Sequence, residues 1–240
     1  MTEMRNTRYI AQTHTGLVRK ANEDSILALP EHEIWLVSDG MGGHDAGDYA
    51  SRLIADMVAT IPHGLDPAAK MHALRDAIHG AHRAIQAESQ TRGGATIGAT
   101  VAALIISQGH FLCLWAGDSR IYRLRDGHIE MLTTDHSAVA DDVLAGQMSW
   151  DEADQHPQSN AIPRAVGISG DLMLDKVRGE TAHGDRFLLC SDGLTKYATF
   201  AMLEDAMITT PLETIGEKLI QIALTGGGAD NISAIVVDVL

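Results

Sequence analysis

The 240-residue chain is poor in cysteine, in positive charge and in unbroken apolar sequence. Its two cysteines, Cys113 and Cys190, each lie inside an apolar run, so no disulfide framework can be built from them. They read as buried free thiols, which suits a reducing compartment and sets the expectation of a cytoplasmic protein. Only 18 lysines and arginines stand against 32 aspartates and glutamates, a formal net charge of −14. This balance argues against a nucleic-acid binder, whose electrostatic footprint is a basic face. The first ten residues contain no apolar core of the kind a secretion signal requires. Residues 93–117 hold no Asp, Glu, Lys or Arg, but Ser107-Gln108-Gly109-His110 interrupts them and three glycines crowd their start. Two buried strands joined by a turn explain this stretch better than a membrane span, so no membrane contact is expected. Solenoid repeats and low-complexity tracts are also lacking.

What is present is an apolar fraction of 45%, ordinary for a globular protein that buries a sizeable core, in a chain long enough for one large domain or two small ones. Strand-like runs cover residues 9–13, 25–29, 34–37, 100–106, 111–115, 121–124, 128–132, 172–177, 187–190 and 232–239. Asp126-Gly127 between two of them predicts a tight hairpin, so the sheets are at least partly antiparallel. Apolar stripes at helical spacing predict helices over 46–61, 67–89 and 212–224, the second started by Asp66-Pro67. Methionines on these stripes read as core filler, and His72, His79 and His82 on the second helix as surface residues. Residues 133–170 differ: they are polar, carry only short helical signals such as the capping box Ser149-Trp150-Asp151-Glu152, and suit a functional lid or binding loop, or else disorder.

One pattern recurs, an apolar run ending in an aspartate beside glycine: Val37-Ser38-Asp39-Gly40, Ala116-Gly117-Asp118 and Cys190-Ser191-Asp192-Gly193. Asp230 follows a run of three glycines just ahead of the last strand. Any one of these can be a simple turn. Several converging carboxylates would repel one another unless a cation lay between them, and hard ions such as Mg²⁺ and Mn²⁺ prefer oxygen ligands.

Gly16-Leu17-Val18-Arg19-Lys20-Ala21-Asn22-Glu23-Asp24 resembles the opening motif of the metal-dependent protein phosphatases (PPM family, type 2C class) in its bacterial form. Ser38-Asp39-Gly40-Met41-Gly42-Gly43-His44 is similar to the second motif. Ala116-Gly117-Asp118-Ser119-Arg120, Thr134-Asp135-His136-Ser137, Ser191-Asp192-Gly193-Leu194 and Asp230-Asn231-Ile232-Ser233 match later motifs in the family's order. The resemblance implies an α/β (α+β) four-layer sandwich, two mostly antiparallel β-sheets flanked by helices on both sides. It further implies that Asp39, Asp192 and Asp230 surround a first metal. Asp39 would bridge to a second, which the Gly40 carbonyl contacts and beside which Glu23 and Asp24 lie. Asp118 with Asp192 matches the third metal site of bacterial members. Arg19 matches the phosphate-gripping arginine, residues 133–170 correspond to the family's flap, and Arg164 matches a family arginine at the end of that flap that would bind substrate.

In such a site two Mg²⁺ or Mn²⁺ ions about 3.5–4 Å apart acidify a water that attacks phosphorus in line. No phosphoenzyme is needed, and neither cysteine has an arginine six places on. The eukaryotic branch places a histidine after Asp-Gly; here that residue is Met41, and His44 is the nearest group able to protonate the leaving alkoxide. The family implies phosphoserine and phosphothreonine proteins as substrates and a eukaryotic-like Ser/Thr kinase as counterpart. The Trp115-Ala116-Gly117-Asp118 variant is most similar to the small stand-alone phosphatases associated with bacterial type VI secretion. The rival readings are a catalytically silent phosphoprotein-binding relative and a nucleotide phosphodiesterase.

Overall fold

Ile34-Trp35-Leu36-Val37 is buried on both faces, which is the signature of a strand sandwiched between a helical layer and a second sheet. The computed structural model describes residues 7–42, 46–168 and 170–240 and shows why. The chain begins with β1 (Thr7–His14), β2 (Asp24–Leu29) and β3 (Ile34–Met41), then α1 (Ala46–Ala59) and α2 (Pro67–Thr91). Next come β4 (Gly98–Ala99), β5 (Val101–Ser107), β6 (His110–Ala116), β7 (Arg120–Arg125) and β8 (His128–Met131). After α3 (Ala140–Leu144) and α4 (Trp150–Ala153), β9 (Asp175–Glu180) and β10 (Arg186–Cys190) return to the sheets. The chain closes through α5 (Asp192–Thr195), α6 (Phe200–Thr209), α7 (Leu212–Gly226) and β11 (Ile232–Val239).

One sheet has the order β1-β11-β10-β7-β8 and the other β2-β3-β5-β6-β9, with β4 added to β3; every pairing is antiparallel. Strand alternation sorts the apolar side chains into three layers. Trp35, Val37, Leu104 and Phe111 of one sheet meet Ile121, Phe187, Leu189 and Val237 of the other. Ile34 and Leu36 face the opposite way, onto Ile54 and Val58 of α1 and Leu74, Ile78 and Ile85 of α2. Leu188, Ala234 and Val236 face Leu203 of α6 and Ile215 and Leu219 of α7. The result is helix, sheet, sheet, helix, as the resemblance implied. Each fully buried large side chain contributes about 1.5–3 kcal/mol through removal from water.

Local chemistry explains most boundaries. Asp66 accepts a hydrogen bond from the Ala69 N–H at 2.9 Å, with Pro67 opening α2. Asp126 and Gly127 both take positive φ, at 51° and 77°, which is what a two-residue hairpin between β7 and β8 demands. The Ser149–Glu152 capping box opens α4. Cys113 and Cys190 are both buried and free. Among the described residues no helix is long and apolar enough to cross a membrane. The short β4, α5 and α6 had no counterpart in the sequence reading, and β9 starts three residues later than expected.

Candidate active site

Five aspartates reach one end of the two sheets by five different local routes. Asp24 is the first residue of β2 and stands directly opposite Asp39 of β3. Asp39 lies within its strand, where pairing passes from β5 to β4. Its N–H donates to Thr100 Oγ1 at 2.9 Å. Asp118 occupies the turn by which the chain crosses from β6 in one sheet to β7 in the other. Asp192 is the first residue of the one-turn helix α5, and so sits at a helix start rather than in a turn. Asp230 immediately precedes Asn231 at the mouth of β11.

Two glycines permit this crowding. A Cβ on Gly40 would collide with the Gly47 carbonyl of α1 and lie 2.6 Å from the Glu23 carbonyl oxygen. A Cβ on Gly193 would collide with the Asn231 carbonyl. Asn231 in turn hooks the Arg19-bearing segment onto the sheets. Its Nδ2 donates to the carbonyls of Thr15 and Ala21 at 2.8 and 2.9 Å, and its Oδ1 accepts from the Glu23 N–H at 2.8 Å.

The electrostatics follow from this concentration of like charge. Burial, then the charges of Asp24, Asp192, Asp118 and Asp230, hold the Asp39 carboxyl well above the ordinary carboxylate range. Burial and Asp192 do the same to Asp118. Burial lifts Asp24 to about 7 against the pull of hydrogen bonds donated to its Oδ2 by Ser233 Oγ (2.7 Å) and Ser191 Oγ (2.8 Å). Two of the remaining carboxylates recruit the protein's own cations. Arg19 Nη2 donates to Asp230 Oδ2 at 2.9 Å, and Lys196 Nζ to Asp192 Oδ2 at 2.6 Å.

Among the described residues no three His, Cys, Asp or Glu side chains close onto one point as a ready-made ligand set. That is the expected compromise for repelling carboxylates that turn to hydroxyls and cations instead. Their free oxygens nonetheless fit a hard cation. Oδ1 of Asp24, of Asp118 and of Asp192 are buried without a hydrogen-bond partner, and an unpartnered buried carboxylate oxygen is costly unless a cation or water meets it.

The other residues singled out by sequence have different surroundings. Glu23 borders the aspartates: its Oε2 packs against Gly47, and its charge acts on Arg19. Arg164 lies apart, with Nη1 donating to Asp175 Oδ1 at 2.8 Å. Asp175 also faces His136 Nε2 at 3.2 Å, and His136 Nδ1 accepts the Gly117 N–H at 3.1 Å. A neutral His136 ring thus carries its proton on Nε2 and links the end of the flap to the turn that holds Asp118. His44 lies outside the described residues. His82 is not a surface residue: it is buried, its Nδ1 accepts the Gly167 N–H and its Nε2 donates to the Gly170 carbonyl. Its helical spacing alone could not show that the flap returns across α2.

The rest of the flap is latched from β7. The Arg120 guanidinium, with a side chain only 3% exposed, is bidentate to both Asp135 and Asp154 and stacks on the Trp150 ring at 5.2 Å. Beneath it a cavity of about 10 Å³, room for one water, is lined by Asp118, Asp135, Ser137, Asp154, Asp192 and Lys196. Sequence reasoning assigned no role to Lys196, Ser191, Ser233 or Asn231. The available signals were the place of Ser191, Asn231 and Ser233 inside the family-like motifs and the helical spacing of Lys196 four residues after Asp192.

Comparison with known proteins agrees with this geometry. The protein phosphatase 2C family profile matches residues 17–229. The serine/threonine protein phosphatase PstP of Mycobacterium tuberculosis is 35% identical over 237 residues, which is 97% of this chain and 45% of PstP, so the chain spans about half the length of that relative. The serine/threonine phosphatase stp of Listeria monocytogenes is 33% identical, covering 95% of this chain and 94% of its own. Among solved structures, PppA of Pseudomonas aeruginosa, described as a key regulatory component of T6SS, superposes with a TM-score of 0.91 at 39% identity, over 98% of each chain. The PstP catalytic domain in complex with two manganese ions superposes with a TM-score of 0.83 at 34% identity, again over 98% of each chain. With nearly the whole length matched at these identities, the chain belongs to the protein phosphatase 2C family.

Proposed function

We propose that this chain is one metal-dependent phosphatase domain spanning 1–240, with a flap over about 133–170, that hydrolyses phosphoserine and phosphothreonine on proteins. The observation that carries the reading is the convergence of Asp24, Asp118, Asp192 and Asp230 on Asp39, each adding to the pressure on its carboxyl. Asp39, Asp192 and Asp230 would hold a first Mg²⁺ or Mn²⁺. Asp39, the Gly40 carbonyl, Glu23 and Asp24 would hold or border a second, and Asp118 with Asp192 a third. When bound, these ions supply Lewis acidity toward phosphoryl oxygens and acidify the attacking water.

The chain's own residues do the rest. Arg19, with its side chain 53% exposed at the mouth, presents a planar fork that can grip two phosphoryl oxygens and leave Asp230 to do so. Ser191 and Ser233 fix the rotamer of Asp24 from the opposite sheet. Arg164 at the end of the flap would contact substrate, and His44 would help protonate the leaving oxygen. The buried free thiols suit the cytoplasm, where a eukaryotic-like Ser/Thr kinase would be the natural counterpart. The likeness to PppA supports a role among type VI secretion regulators.

The test is phosphate release from a phosphothreonine peptide with Mn²⁺ or EDTA, alongside Asp39→Ala. Metal-dependent release that the variant lacks is expected. A folded protein inactive with every divalent ion would instead point to a silent phosphoprotein-binding relative. Preference for a bis-ester would point to a phosphodiesterase.

A further inference from the structure

Within the cluster of carboxylates sits one lysine that the proposed chemistry does not use. Lys196 Nζ lies 2.6 Å from Asp192 Oδ2 and 3.8 Å from Asp230 Oδ2, so one ammonium spans two of the three aspartates assigned to the first metal. Its placement is built rather than incidental. Lys196 follows directly on the single turn of α5, whose first residue is Asp192, so the pair shares one helix face. Its own carbonyl accepts a hydrogen bond from Gln155 Nε2 at 2.8 Å, which ties the backbone of the lysine to the flap just beyond α4. Its side chain is 21% exposed, and it lines the cavity shared by Asp118 and Asp192.

We propose that Lys196 is a resident cation of this site, neutralising Asp192 and Asp230 while no divalent ion is bound and competing with that ion for the same carboxylates. The inference rests on the metal reading above and goes beyond it by naming a residue that opposes loading. Lys196 Nζ occupies Asp192 Oδ2 at 2.6 Å in the cavity that Asp118 also lines, so this carboxylate already has a charged partner. A divalent ion reaching the free Oδ1 of Asp192 therefore meets a fixed positive charge on the same carboxylate and binds against its repulsion. An exposed lysine–aspartate pair on a helix would be worth little and would oppose nothing. Here the pair lies beside two further acids, Asp230 and Asp118, and its acid is the one that the first and third metals would share.

The experiment is calorimetric titration with Mn²⁺, plus melting temperatures in EDTA and in saturating Mn²⁺, for the native protein, K196M and K196R. K196M should bind Mn²⁺ about tenfold more tightly, because a competing unit charge has been removed. It should melt lower than the native protein in EDTA, where Asp192 and Asp230 lose their counter-ion, but at least as high in saturating Mn²⁺. K196R keeps the charge and should bind Mn²⁺ as the native protein does. K196Q is read in the same way if the methionine variant does not fold. Unchanged Mn²⁺ affinity in the neutral variants overturns the proposal, as does an equal drop in melting temperature with and without Mn²⁺. No Mn²⁺ binding by any of the proteins, the native one included, overturns the metal reading and this inference with it.

Discussion

Asp24 and Asp39 stand directly opposite each other on neighbouring antiparallel strands, so two carboxylates share one face at the end of a sheet. Opposed residues have Cβ atoms about 5 Å apart, where like charges destabilise each other. Asp24 is lifted to about 7, and Asp39 and Asp118 are also held well above the ordinary carboxylate range, by burial first and neighbouring charge second. The native state therefore binds more protons than the unfolded chain from about pH 4, where unfolded aspartate titrates, to about pH 7. More protons bound in the native state means that stability falls as pH rises through that window. In EDTA the melting temperature should drop between pH 5 and 7.5, measured at constant ionic strength. Saturating Mn²⁺ should restore it at the upper end and add little at the lower. A melting temperature that climbs with pH in EDTA would contradict the crowding of these carboxylates.

Asp192→Ala should reduce turnover by about 10³-fold or more, because preorganised charge at the reacting centre is lost. The circular dichroism spectrum should stay native, since Asp192 packs no core and its removal relieves repulsion among the crowded carboxylates. Asp118→Ala should be milder, lowering the rate while calorimetry still finds the two core ions. Loss of both ions in Asp118→Ala would show that it belongs to the core pair.

Arg19→Lys should raise KM about tenfold or more, because a point charge replaces a two-pronged fork. The hydrogen bond from Arg19 to Asp230 has a simple structural role as an alternative. The two are separated by phosphate inhibition: weaker product inhibition in step with the higher KM marks a phosphate grip, while unchanged inhibition marks a structural tie.

Arg120→Met should destabilise the protein by about 3–5 kcal/mol, since it strands Asp135 and Asp154 without their shared cation. Asp154→Asn leaves Asp135 in place and should cost less. Its main effect should be faster proteolysis within the flap, read by limited digestion and mass spectrometry.

Much of the fold was legible in one dimension, because strands buried on both faces must be continuous apolar runs and amphipathic helices must repeat at 3.6 residues. Hence Ile34–Val37 and the Ala50, Ile54, Val58 stripe marked their elements. The Asp126-Gly127 hairpin followed from φ freedom, and Asp66 and Ser149 from capping chemistry, both local by nature. The helix over Phe200–Thr209 went unread, although its cap, Thr199, uses the same local rule. The recurring aspartate-beside-glycine pattern pointed to Asp39, Asp118 and Asp192, and the order of motifs as in a known family added Asp230. Sequence could not say that Ser191 and Ser233 hold Asp24 from the facing sheet, that His82 is buried under the flap, or that Lys196 fills the gap between Asp192 and Asp230. Those relations join residues up to 209 positions apart. Spacing along a chain determines which side chains share a strand or a helix face, while only the packing of one sheet on the other decides which charges meet.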